Sequence, residues 1–316
     1  MLPDSNWQMT VLLLLALAVM EFVMKLVALL LPAKREIERR AMSWVLFSPN
    51  SVLREQRAPG AGPVVLRILM LFAAVLLSYW VYWQLVRGFQ IRGILLSYLA
   101  VPLLLLIGES IVAIMNLFLL PGGCLLPALH CHPWAARSIA NFWGNRWNLW
   151  ASDWFRYVIF DRFRRRPMFA LFLVFAASGV MHECVINVPL YCVTGRNLFG
   201  TMVVYFLLQA VGILVERHFL KGHPRLMMAF VWLVVFVPSP LALNEGYLRG
   251  LQLWPDSNLI CIRTPGGGKK SSPNIFAISI TRGLSCGGCG SLQKASMRRF
   301  ISATERQPIS VHLQPA

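Results

Sequence analysis

Of the 316 residues, 57% are apolar and only 14% are charged, against roughly 25% charged in an ordinary soluble domain. With a mean hydropathy of +0.60 and several apolar runs near the ~20 residues that cross a bilayer as a helix, the composition excludes a soluble enzyme and predicts an all-α, polytopic membrane protein. The net charge of +17 is not a nucleic-acid signature, because the basic residues lie mostly in connecting segments, as they do beside anionic headgroups, with no basic–aromatic module for RNA or DNA.

The first span, 9–31, carries Glu21 and Lys25, neighbours at i, i+4 that partly neutralise one another. Its apolar run is too long for a signal-peptide core and lacks a small-residue cleavage site, so it is expected to stay as an anchor. A basic loop follows, ended by Pro59, Gly60, Gly62 and Pro63. The second span, 64–86, has an aromatic second half, SYWVYWQL, suited to a headgroup interface. The third, 94–120, contains Pro102 and Glu109; the carboxylate must face protein, water or a partner, in a structural or a functional role.

PGGCLLPALHCHP then breaks the helix. His130-Cys131-His132 is too tightly spaced for one tetrahedral metal site, so no metal is expected there. From 134 to 166 the chain is aromatic and basic together, too polar to cross lipid freely; it must lie in the interface or re-enter the membrane inside the protein. Further spans are predicted at 168–193, 199–215 and 226–243. Lys and Arg weight the odd loops (six, seven and three) over the even ones (two and one), which places the odd loops in the cytoplasm. The seven cysteines lack framework spacing, and the lone Cys286-Gly-Gly-Cys289 has no second pair.

The expected architecture is therefore about six to eight transmembrane helices plus an interfacial or re-entrant aromatic segment. It divides into an N-terminal anchor and basic loop (1–63), a catalytic membrane domain (64–250) and a disordered basic tail (251–316).

The chemistry concentrates in 142–187. His182 lies about 20 Å into the fourth span at the helical rise, and an intramembrane histidine is costly unless paired or functional. Ser178 at i−4 and Gly179 at i−3 share its face, Gly179 leaving room for a substrate or another helix. His182-Glu183 does not complete an HExxH zinc motif, since position 186 is Ile186. Cys184 lies about 200° around the helix and points away from His182, which argues against a Cys–His nucleophile within this helix. There remains a general base: a neutral imidazole able to take a hydroxyl proton as that hydroxyl attacks an acyl carbonyl. Asn148 is the candidate donor to the developing oxyanion. Arg162, Arg164, Arg165 and Arg166 either receive the phosphates of an acyl donor or serve simply as a positive-inside stop.

FWGNRWNLW, followed 34 residues after Asn148 by the histidine of SGVMHE, resembles the membrane-bound O-acyltransferases, in particular the wax-synthase-like branch of long-chain-alcohol O-fatty-acyltransferases. The likeness runs over about 127–236 and includes YFLLQAVGILVERH. It departs at Asn145, where a basic residue is common, and in the tail. The resemblance implies acyl transfer from acyl-CoA, as co-substrate, to a lipophilic alcohol, with no resident cofactor or metal. It implies His182 as catalytic histidine with Asn148 as partner, and Trp143, Arg146, Trp147, Ser178 and Glu183 around the substrates. A multi-pass protein of the endoplasmic reticulum, with a tunnel open to CoA from the cytosol, would follow. Two other readings stand beside it: an acetyltransferase for a sterol or terpenoid hydroxyl, and a transporter or channel lined by Glu21, Lys25, Glu109 and His182.

Overall fold

The computed structural model describes residues 5–31, 60–122, 126 and 128–255. The basic loop at 32–59, and the tail from 256 with its CxxC, lie outside them. Ten α-helices follow one another among the described residues: α1 (Ser5–Leu30), α2 (Ala61–Gly88), α3 (Ile94–Leu119), α4 (Ile139–Asn145), α5 (Leu149–Phe155), α6 (Pro167–His182), α7 (Val188–Thr194), α8 (Thr201–Phe219), α9 (Pro224–Phe236) and α10 (Glu245–Gly250). Two five-residue π-helical turns, Arg156–Phe160 and Glu183–Asn187, follow α5 and α6.

Among the described residues, six segments are long and apolar enough to cross a membrane: Ser5–Ala28, Ala61–Gly88, Ile94–Leu119, Pro167–Thr194, Thr201–Phe219 and Pro224–Leu241. They coincide, within a few residues, with the runs read from hydropathy, because unbroken apolar stretches satisfy their backbone only as helix in lipid. Pro102 sits within α3 without ending it.

The aromatic segment is neither a span nor a surface helix. Arg146–Asn148 breaks it into the seven-residue helices α4 and α5, which pack inside the bundle. Ser138 caps α4, its Oγ accepting from the Asn141 N–H at 2.9 Å, and Glu216 of α8 accepts the Ile139 N–H at 2.6 Å. Ile139 and Phe142 are enclosed with Phe175 of α6, Phe206 and Ile213 of α8, and Val231 and Val235 of α9. The re-entrant alternative describes this arrangement: irregular backbone at depth is tolerated where protein, not lipid, surrounds it.

α6 and α8 run antiparallel in close contact. A Cβ on Gly179 would stand 2.7 Å from the Val203 Cα, so this glycine makes room for a helix and not for a substrate. α1 is no separate anchor. Thr10 Oγ1 donates to the Gly250 carbonyl at 2.9 Å, and Asn6 Nδ2 donates to the Trp254 carbonyl at 2.9 Å. Residues 251–255, which composition placed in the tail, belong to the body: Tyr82 Oη donates to the Leu253 carbonyl at 2.6 Å, and Leu253 is buried with Leu96 and Leu103.

Candidate active site

His182 is the last residue of α6, and the π turn begins immediately after it. Such turns widen the helix by one residue and recur at functional positions. Its Nδ1 lies 2.7 Å from the Ser178 carbonyl oxygen. A carbonyl only accepts, so Nδ1 carries the proton in the neutral ring and Nε2 keeps its lone pair. The ring packs on Phe206, with centroids 4.6 Å apart.

His182 lines a cavity of about 290 Å³ together with Asn148, Trp143, Trp147 and Ser178. Five residues named from sequence thus meet in one space. Asn148 stands at φ 37°, ψ 67°, in the left-handed region, which Asn tolerates better than most side chains. Its Oδ1 caps α5 by accepting from the Ala151 N–H at 3.2 Å; the amide NH2 is left as the donor. Trp143 is fixed by its indole N–H, which donates to Gln209 Oε1 at 3.2 Å. Much of the remaining lining is apolar, including Leu17, Met20 and Met24 of α1 and Phe155, Leu171 and Phe175.

Other residues expected around the substrates are placed elsewhere. Glu183 is buried and faces α8: Oε1 accepts from the Met202 N–H at 2.8 Å, and Oε2 from Asn187 Nδ2 at 2.6 Å. It caps the start of α8, where Gly200 offers no side chain, and an anion is favoured at that positive end. Arg146 is spent on Asn141 Oδ1 at 2.7 Å and the carbonyls of Cys131 and His132 at 3.2 and 2.8 Å. Arg162, Arg164, Arg165 and Arg166 are exposed and outside the cavity lining. Arg162 donates to the Tyr157 and Val158 carbonyls. Cys184 is exposed, and Cys131 is disulfide-bonded.

The cavity also contains residues that sequence reasoning did not select for this site: Arg156, Arg217 and Tyr247, and Glu21, weighed as half of an ion pair and as part of a transport path. Arg156 is buried beside Asp153 and Asp161; desolvation pulls its pKa below the ordinary arginine value and the two carboxylates oppose that shift. Burial holds the Tyr247 hydroxyl above its usual range, so it is a neutral phenol. For Arg156 a signal existed, a lone cation between apolar aromatic residues. For Tyr247 none did, since it lies beyond the last apolar run.

Residues 126–208 match the model of the Membrane bound O-acyl transferase family. The chain is 31% identical over 99 residues to probable long-chain-alcohol O-fatty-acyltransferase 7 of Arabidopsis thaliana, covering 28% of this chain and 28% of that protein. It is 31% identical over 123 residues to probable long-chain-alcohol O-fatty-acyltransferase 6 of the same plant, covering 36% of this chain and 34% of that protein. The matches therefore span about a third of the length of these relatives. No solved structure matches. The five residues that meet in one cavity, Trp143, Trp147, Asn148, Ser178 and His182, all lie within residues 126–208, the stretch that is similar to the membrane-bound O-acyltransferase family.

Proposed function

We propose that the protein is an acyl-CoA-dependent O-acyltransferase that esterifies a lipophilic alcohol inside the membrane, with His182 as general base. The observation that carries this reading is the Nδ1 contact of His182 with the Ser178 carbonyl, in a cavity that Asn148 also lines. It leaves Nε2 as an acceptor in an apolar enclosure.

In this reading Nε2 takes the hydroxyl proton of the alcohol as its oxygen attacks the thioester carbonyl. The carbonyl electrons move onto oxygen, where the Asn148 amide N–H donates to the oxyanion. The tetrahedral intermediate collapses, the C–S bond breaks, and the imidazolium returns its proton to the departing thiolate. Ester and free CoA thiol are the products, and no acyl-enzyme forms. Arg162, Arg164, Arg165 and Arg166 are proposed to meet the donor's phosphates on the protein surface, as a charge field rather than a built pocket. The names of the relatives support a long-chain alcohol as acceptor.

Microsomes containing the full chain, given palmitoyl-CoA and hexadecanol, should form the wax ester and release one thiol per ester. His182→Ala should lower the rate by at least roughly 10²-fold at unchanged protein abundance. Full ester synthesis by that variant would defeat the assignment.

A further inference from the structure

Glu109 is buried in the transmembrane helix α3, a costly position for a carboxylate. Arg67 of α2 donates to its Oε2 at 2.8 Å, and its Oε1 lies 3.2 Å from Nδ1 of His130. His130 is 5% exposed and belongs to the irregular segment before α4. Its ring packs against Trp147, with centroids 4.8 Å apart. On its other side Trp147 stacks on Phe142 at 5.6 Å and 15°, and it lines the cavity.

The same segment grips Asn148 through the backbone from both sides. The Leu149 N–H donates to the Leu129 carbonyl at 2.8 Å, and the Cys131 N–H donates to the Arg146 carbonyl at 2.8 Å. A non-glycine residue at φ 37° persists only where its surroundings over-determine it. Here they consist of residues 129–132, with His130 tied to α3.

We propose that Glu109 and His130 are positioning residues: a buried pair by which α3, through Trp147 and residues 129–131, sets the Asn148 turn against the reacting carbonyl. This rests on the acyl-transfer reading above. A pair serving stability alone has a weak physical rationale, since burying charge costs about as much as the pairing returns. A pair that fixes one side-chain geometry has a stronger one.

The test measures wax-ester formation from palmitoyl-CoA and hexadecanol in microsomes holding the full chain. Glu109→Ala should lower kcat by roughly 10- to 100-fold, the scale of a small misplacement of a reacting group, with KM for palmitoyl-CoA within about twofold. Glu109→Gln, whose amide oxygen still accepts from His130, should recover most of the rate. Glu109→Ala combined with Asn148→Ala should be no slower than Asn148→Ala alone, because the pair acts through Asn148. His130→Phe keeps the ring contact and loses only the carboxylate bond; it carries the same comparison if Glu109→Ala does not accumulate. Wild-type kcat in both single variants, or losses that multiply with Asn148→Ala, would overturn the proposal while leaving acyl transfer standing. An inactive wild type would overturn both.

Discussion

Asn148 combines two tasks that substitution can separate. Its Oδ1 caps α5 while its amide N–H is the proposed oxyanion donor. Asn148→Asp keeps an oxygen for the cap and removes the donor, so the melting temperature in detergent should hold while kcat falls by roughly 10²- to 10³-fold. Asn148→Ala removes both and should in addition destabilise the protein by about 1 kcal/mol. An aspartate variant with wild-type turnover would sink the donor role. Glu183 presents the opposite case: next to His182, yet turned into α8. Glu183→Ala should destabilise the fold by about 1–2 kcal/mol in thermal melts, and Glu183→Gln by less, since its amide oxygen can still accept from Met202. At this scale residue type and spacing sufficed to pick out His182 and Asn148 as two residues that line one cavity. They were silent on direction: nothing in SGVMHE states that the glutamate leaves the site at the π turn.

Among the elements, the contact between α6 and α8 is the tightest constraint. Gly179→Val would drive side-chain atoms into the Val203 backbone, and overpacking of this kind costs about 1–3 kcal/mol. A fluorescence size-exclusion profile should show loss of the folded peak, although the residue is not part of the cavity lining. Hydropathy located the long helices because periodic burial in lipid leaves an unbroken apolar run. It could not locate the π turn at Glu183–Asn187, whose polar members are satisfied by one another and across helices. Asn187 Oδ1 accepts from Asn244 Nδ2 at 2.7 Å, and its amide donates to Glu183. The central aromatic segment was legible as re-entrant or interfacial, because its polar backbone breaks forbid lipid. The choice between the two depended on Phe142 finding α6, α8 and α9, which no local pattern records.

At the scale of the molecule, α1 shares a cavity wall with the body of the protein. Leu17, Met20 and Met24 line the same cavity as His182, so the first helix is part of the wall that a chain-like substrate would touch. Met20→Trp should therefore raise KM for a long acyl donor more than for a short one, as read from a chain-length series. An equal effect on all lengths would place the acyl chain elsewhere. Reversing charge at Arg164 and Arg165 should raise KM for palmitoyl-CoA at low salt, and the difference should shrink as salt screens the field.

The ties between the two ends of the body bear on how the protein is made. Asn6 bonds across 248 positions to Trp254, and Thr10 across 240 to Gly250. Helix α1 therefore finds these partners only after some 240 further residues of the chain have been made. A chain that stops short of Tyr247 holds the whole FWGNRWN-to-HE stretch and lacks one wall of the cavity that His182 lines.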